Sequence, residues 1–288
     1  MMSASPRLKT KLKQLLDLPS DFRFAFERSR HFAKLPENTL PDIQQSLTDF
    51  GIAVTHIENL GFEGTAALLA ELRTLTPAIH ELDPTETHGL TLPPYAAIMD
   101  PVTLARNHPQ VPLWGLQAPL LDLMENYIGL PPICMGASLR RDLVSPDSSG
   151  TRRWHIDPND RRYPKIILYI NDVCQDSGPF QYIPRSFEKE LAAFRGRKSV
   201  SQQEMAAQVA PEHWRSVCGK AGTVIFIDTA NLFHRGAVPL KERYSLFFSY
   251  ASKRPKRPEL CNNAYQHDSM LELDQLPLTE RQRRAMFF

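Results

Sequence analysis

The sequence predicts a mainly β protein with flanking helices, an antiparallel sandwich or barrel. Three observations point there. The second half carries four short, β-branched or aromatic runs, IILYIND, FQYIP, TVIFID and YSLFFSY, most of them bounded by Gly, Pro, Asn or Asp. A single more helical stretch, residues 186–216, separates the second run from the third. No glycine-rich phosphate loop accompanies it, so it reads as an insertion in a β architecture rather than a βαβ crossover.

The helices are expected mostly before the strands. Leu8, Leu12, Leu15 and Leu16 fall at helical spacing, with Lys9, Lys11 and Lys13 between them. We read the first fifty residues as a helical N-terminal extension packed on the domain, its lysine face solvated. DFGIAVTHI has strand character, and GTAALLAELRTL and APLLDLMENYIGL have helical periodicity, the last ending near Gly129. Prolines are dense from Pro77 to Pro132 and suggest extended segments and turns. Residues 253–288 read as a C-terminal tail, and all 288 residues as one domain.

Composition narrows the function classes. Hydrophobic residues at 42% and charged residues at 23% are ordinary for a globular protein able to bury a core without staples. A net charge of +2 gives no general pull toward nucleic acid or membrane. The four cysteines, Cys134, Cys174, Cys218 and Cys261, contain no CxxC pair, so a disulfide framework or structural zinc site is not expected. They read as idle or buried thiols in a reducing compartment. The first residues lack the apolar core of a signal peptide. No apolar run approaches the ~18–20 residues of a membrane span. A cytoplasmic location with no integral membrane association is therefore expected.

The chemistry concentrates at three places. In Arg153-Trp154-His155-Ile156-Asp157, strand alternation puts His155 and Asp157 on one face, within reach of one ion. Alone, such a triplet is common on surfaces. His234 gives it company: it follows the strand run Thr223–Asp228 and sits at the start of a turn, where a scaffold presents ligands. Two histidines and one carboxylate on one face of an octahedral iron leave three positions open, as oxygen chemistry requires. Then Arg243 and Ser245 share a face at the start of YSLFFSY. A buried arginine is costly without an anion, and guanidinium plus hydroxyl makes a receptor for one carboxylate.

Together these elements resemble the phytanoyl-CoA dioxygenase family of iron(II)/2-oxoglutarate oxygenases. The connecting text, Asn171 to Ser186, is similar to that family's strand–turn–strand, with Asp, Gly-Pro-Phe and Pro-x-Ser landmarks. It departs from the family at Arg185 and Phe187, where glycine and histidine are usual. The resemblance covers roughly residues 135–252 and implies a double-stranded β-helix (jelly-roll, cupin-like) core. It implies that His155, Asp157 and His234 hold Fe(II) and that Arg243 binds the distal carboxylate of 2-oxoglutarate. Ser245 fits an Arg-x-Ser pattern of related oxygenases, and Thr151 and Tyr169 are further candidates for cosubstrate contacts. The implied reaction consumes dioxygen, releases succinate and carbon dioxide, and hydroxylates a C–H bond of a small organic molecule such as a specialised metabolite. The retained Asp157 argues against halogenation.

Alternatives from other classes remain at this level. The same iron centre could desaturate or cyclise its substrate. A non-catalytic metal-binding jelly roll would not need Arg243 and Ser245. A zinc hydrolase would need a separate general base, and none stands at suitable spacing. Nucleic-acid demethylation is disfavoured by the near-neutral charge. Arg140, Arg141, Arg152, Arg153, Arg161 and Arg162 crowd the iron motif. They read either as a solvated loop or as recognition of an anionic substrate. Trp154 either walls the pocket or anchors its strand, and residues 186–216 form either a lid or a structural cap. The sequence does not indicate an oligomeric state.

Overall fold

In the computed structural model, residues 20–83, 93–261, 264–265, 273 and 275–287 are described. The expected helix at Leu8–Leu16 lies outside them. A helix α1 (20–31) and α2 (Pro41–Phe50) lead into strand β1 (Ile52–His56), followed by α3 (Thr65–His80) and β2 (Ala96–Ile98). Helices α4 (Pro101–Asn107), α5 (Gln110–Gly115) and α6 (Ala118–Ile128) come next. This corrects the reading of the proline-dense stretch as extended. Pro101 and Pro119 stand in the first turns of α4 and α6, where a missing N–H costs nothing, and Pro109 precedes α5. Gly129, in the left-handed conformation at φ 83°, ends α6 as expected.

The β core begins with β3 (Pro132–Asp142), the longest strand. Then follow β4 (Trp154–His155), β5 (Pro164–Tyr169), β6 (Phe180–Tyr182), β7 (Ser199–Val200), β8 (Arg215–Val217), β9 (Thr223–Asp228), β10 (His234–Gly236) and β11 (Arg243–Ser252). They form two antiparallel sheets, one ordered β1-β9-β5-β11-β3-β2 and the other β7-β4-β10-β6-β8. From β3 to β6 and again from β8 to β11 the chain alternates between sheets. In one sheet β11 lies between β3 and β5; in the other β10 lies between β4 and β6. That interleaving is the double-stranded β-helix, or jelly roll, and confirms the expected fold class.

The central strands β5 and β9 are largely apolar on both sides because both sides are covered. Ile166, Leu168, Phe226, Leu246 and Phe248 face the helices, in one core with Leu68, Trp114, Leu120 and Met124. Their neighbours Ile167, Tyr169, Ile225 and Ile227 face the opposite sheet. β9 is accordingly buried at every position. The C-terminal helix Glu280–Met286 adds Ala285 and Met286 to the helix-side core.

Residues 186–216 are more than a helical excursion. They hold two helices, α7 (Glu188–Leu191) and α8 (Gln202–Gln208), and also β7 and most of β8, which edge the smaller sheet. Their Phe194, Val200, Met205 and Val209 pack with Trp154, Ile183 and Phe233. The segment is a structural cap on the outer face of the smaller sheet, and Trp154 anchors it.

Phe248 is fully buried against Trp114, ring centroids 5.6 Å apart, directly beneath Gly115. Phe248→Ala is expected to cost about 3–5 kcal/mol of stability in urea unfolding, by lost contact and a cavity. A loss below about 1 kcal/mol would show that the helices are not what holds this sheet.

Candidate metal and cosubstrate site

His155 and His234 stand directly opposite each other where β4 pairs with β10, their rings 4.2 Å apart. Each imidazole donates its Nδ1–H to a backbone carbonyl two residues earlier: His155 to Arg153 at 2.8 Å and His234 to Leu232 at 2.9 Å. These bonds fix the tautomer and leave both Nε2 lone pairs unshared. Asp157 follows β4, held by its amide to the Thr229 carbonyl at 2.9 Å. Its Oδ1 lies 3.9 Å from His155 Nε2 and its Oδ2 lies 3.8 Å from His234 Nε2. One ligand atom from each residue fits within a span of 4.8 Å, the one such group of metal-binding side chains among the described residues.

The charge states suit a divalent cation. Burial, and then the neighbouring His155, push the His234 imidazole down to about 3, so it is neutral at pH 7. Burial likewise lowers His155. Burial works against ionising Asp157, but Lys165, His234 and His155 outweigh it and hold the carboxyl well below the usual range. Lys165 Nζ lies 2.7 Å from Asp157 Oδ2 and offsets the buried carboxylate as an ion pair. Two neutral imidazoles and one ionised carboxylate within reach of a single ion fit a first-row divalent metal, and the two-histidine, one-carboxylate set fits non-haem iron. Lys165 was not foreseen. Its signal was a lone charge in an otherwise apolar strand, PKIILY, on the face shared by Ile167 and Tyr169.

A cavity of about 240 Å³ lies between the sheets beside these residues. His155, His234, Lys165 and Thr229 line it together with Arg140, Asp142, Arg243, Phe180 and Phe247. Arg243 is buried, as expected, but its anion is internal. Across the β3–β11 pairing, Arg243 donates through Nε and Nη2 to Asp142 Oδ2 at 3.2 and 2.8 Å, and through Nη1 to the Gly178 carbonyl. Asp142 also accepts from Arg140, at 2.9 and 2.6 Å. Two guanidinium groups share one carboxylate, so the cluster keeps one net positive charge on the cavity wall.

The remaining candidates divide. Thr151 lines the cavity, its hydroxyl 3.2 Å from that of Tyr95. Ser245 is fully buried on the Arg243 face of β11, and its Oγ has no hydrogen-bond partner. The Tyr169 hydroxyl donates to the Val217 carbonyl at 2.9 Å and accepts from the Phe180 amide at 3.0 Å, so it ties β5 to β6 and β8. Neither Ser245 nor Tyr169 is among the cavity-lining residues. Most of the arginines near the motif have partners elsewhere. Arg141 pairs with Glu242, Arg152 donates to the Leu143, Ser145 and Asp147 carbonyls, Arg161 pairs with Asp21, and Arg162 donates to the Tyr127 carbonyl. Of the six, only Arg140 and Arg152 line the cavity.

Burial pushes the Asp142 carboxyl up, yet Arg140 and Arg243 outweigh it and bring it from 3.8 to about 2. Its folded value lies below its unfolded one, so its contribution is complete above pH ~4 and is lost as pH falls toward 2. Asp142→Asn is expected to cost about 3–5 kcal/mol near neutrality, because the buried Arg243 and the partly buried Arg140 lose their anion. The penalty should shrink between pH 4 and 2 in urea unfolding series. A pH-independent penalty would contradict this account.

No family model matches the sequence, and no curated protein matches it. Similar solved structures include HygX from Streptomyces hygroscopicus with nickel, 2-oxoglutarate and hygromycin B bound. It is 13% identical, with 74% of this chain and 87% of that chain covered and a TM-score of 0.49. EctD from S. alaskensis with 2-oxoglutarate and 5-hydroxyectoine is 20% identical, with 73% and 74% covered and a TM-score of 0.47. The non-heme alpha ketoglutarate dependent epimerase SnoN from nogalamycin biosynthesis is 14% identical, with 74% and 82% covered and a TM-score of 0.46. Among the described residues, no helix is long and apolar enough to cross a membrane.

Proposed function

We propose that this protein is a non-haem Fe(II)- and 2-oxoglutarate-dependent oxygenase that hydroxylates a small organic molecule. One observation carries the reading. Two Nε2 lone pairs and the Asp157 carboxylate converge beside a cavity whose wall carries Arg243 and Arg140. His155, Asp157 and His234 would hold the iron. Bound there with 2-oxoglutarate and dioxygen, iron supplies the oxidising chemistry, with succinate and carbon dioxide released.

The chain's own residues bind, orient and shield. Arg243 keeps N–H donors beyond those used by Asp142 and Gly178, and it receives the distal carboxylate of 2-oxoglutarate; Ser245, beside it with an idle hydroxyl, seconds it. Asp142 fixes the guanidinium plane. Phe180, stacked on His234 at 5.6 Å between centroids, and Phe247 and Ile167 keep water from the metal side. Lys165 balances the charge of Asp157. Arg140 extends the basic wall and favours an anionic substrate. Membership of the phytanoyl-CoA dioxygenase family, a cytoplasmic location and a single oxygenase domain belong to the same reading.

The zinc hydrolase reading fares worse on a specific ground. The carboxylate lining the cavity is Asp142, which two arginines occupy and hold ionised to about 2, too weak a base for the task.

With Fe(II) and 2-oxoglutarate, wild type should release succinate, and His155→Ala should fall to the metal-free background. Equal release in all arms would remove the oxygenase reading. Arg243→Ala should raise the apparent KM for 2-oxoglutarate by roughly ten- to a hundredfold, the worth of a charge-assisted hydrogen-bond pair. An unchanged KM would take Arg243 out of the cosubstrate site. A mass-spectrometric substrate screen for the gain of one oxygen tests hydroxylation itself.

A further inference from the structure

Two of the four cysteines face each other. Val173 and Gly219 form an isolated antiparallel bridge, with amide-to-carbonyl bonds of 2.8 and 2.9 Å in both directions. In an antiparallel ladder, such a mutually bonded pair is followed by an unbonded pair with Cα atoms about 4.5 Å apart. Stepping one residue along each chain, that pair is Cys174 and Cys218. Val173 and Val217 are buried between the sheets, so alternation turns Cys174 and Cys218 to the opposite face, where both are exposed. Cys174 keeps extended backbone, φ −114° and ψ −174°, so it continues the ladder geometry. A disulfide asks for Cα atoms roughly 4.4–6.8 Å apart with converging Cβ bonds, which an opposed unbonded pair provides.

We propose that Cys174 and Cys218 form a reversible disulfide that clamps the turn holding Arg243. That turn is well tied on its other side. The Asp176 carbonyl accepts from the Leu240 and Lys241 amides at 2.7 and 2.9 Å, and the Pro179 carbonyl accepts from Ala237 at 3.0 Å. The Gly178 carbonyl accepts from Arg243 Nη1. The turn has no covalent tie to the strand that carries Cys218, and the disulfide supplies one.

The local chemistry favours Cys174 as the attacking thiol. The Ser177 hydroxyl, 3.4 Å from its sulfur, holds the Cys174 thiol below its usual value. Burial, and then the charge of Cys174, push Cys218 up, which also marks the two thiols as electrostatic neighbours. The oxidant is a small-molecule disulfide such as oxidised glutathione. The Cys174 thiolate attacks one of its sulfurs and releases one glutathione thiolate, leaving a mixed disulfide. The Cys218 thiolate then attacks Cys174 Sγ and displaces the second glutathione. Two protein thiols are oxidised, one small disulfide is reduced to two thiols, and the two protons pass to the leaving thiolates.

The test treats the full chain, metal-free, with oxidised glutathione and reads intact mass, peptide map and hydrogen exchange. Wild type should lose two hydrogen atoms and yield a linked peptide joining residues 174 and 218. Amides of Ser177, Ala237 and Leu240 should exchange about tenfold more slowly, since opening the turn now strains a closed loop. C174S and C218S should each lose the link and carry one glutathione on the remaining cysteine. Stable glutathione adducts on both cysteines in wild type, or links to Cys134 or Cys261, would overturn the pairing. A formed link with unchanged exchange would overturn the clamp. Neither outcome depends on oxygenase activity.

Discussion

The two-residue period of a strand governs this molecule, because the six-stranded sheet is covered on both faces. Helices take one set of side chains, and the opposite sheet takes the other. A side chain's parity therefore decides whether it supports the fold or meets the cavity. On β5, Ile166 and Leu168 face the helices, while Lys165 and Ile167 face inward. On β11, Leu246 and Phe248 support the helix layer, while Arg243 and Phe247 line the cavity. On β4, Trp154 anchors the outer cap while His155 turns to its partner His234. A one-residue slip in any of these strands would exchange chemistry for packing.

The inward set carries more charge than a jelly-roll interior tolerates unaided, and the chain resolves it in pairs. Asp142 is placed opposite Arg243 by strand register and reaches Arg140 two residues back along its own strand. Lys165 meets Asp157. Beyond the His155, Asp157 and His234 cluster, Asp228 collects the Tyr127 hydroxyl, the Tyr163 and Ala230 amides and the Asn231 amide group. That last cluster pins the end of β9 and the following turn, from which the Thr229 carbonyl holds Asp157. Buried polar networks of this kind give fixed geometry when every member is satisfied.

How much of this could be read from the residues alone follows from what each signal depends on. The strands at IILYIND, TVIFID and YSLFFSY were legible because doubly covered strands are continuously apolar. β3 was not, since PICMGASLRRD mixes glycine, small residues and three charges whose meaning depends on the opposite strand. The prolines before it misled, because proline suits a helix's first turn as well as it suits a loop. His155, Asp157 and His234 were legible as a set, and the structure brings them together as one cluster. Arg243 was legible as buried, but Asp142 as its partner was not. Cross-strand pairing is a long-range fact, and no local pattern announces it. The same holds for Lys165 beside Asp157 and for Cys174 beside Cys218.

These long-range pairings also explain why Arg243, in the proposed role of carboxylate receptor, would gain from having Asp142. An arginine alone in a closed cavity would pull in water or lose its burial, and its plane would be free to turn. With Asp142 bonded to Nε and Nη2, Gly178 bonded to Nη1 and the Tyr169 hydroxyl beside it, the guanidinium plane is fixed and its remaining N–H has a set direction. Arg140 then returns the positive charge that Asp142 removes. The cluster is thus rigid and cationic at once, which neither a lone arginine nor a simple ion pair can be. A dianion whose far carboxylate meets that cluster would present its other end toward the Asp157 side of the cavity, where Lys165 and the two Nε2 lone pairs stand.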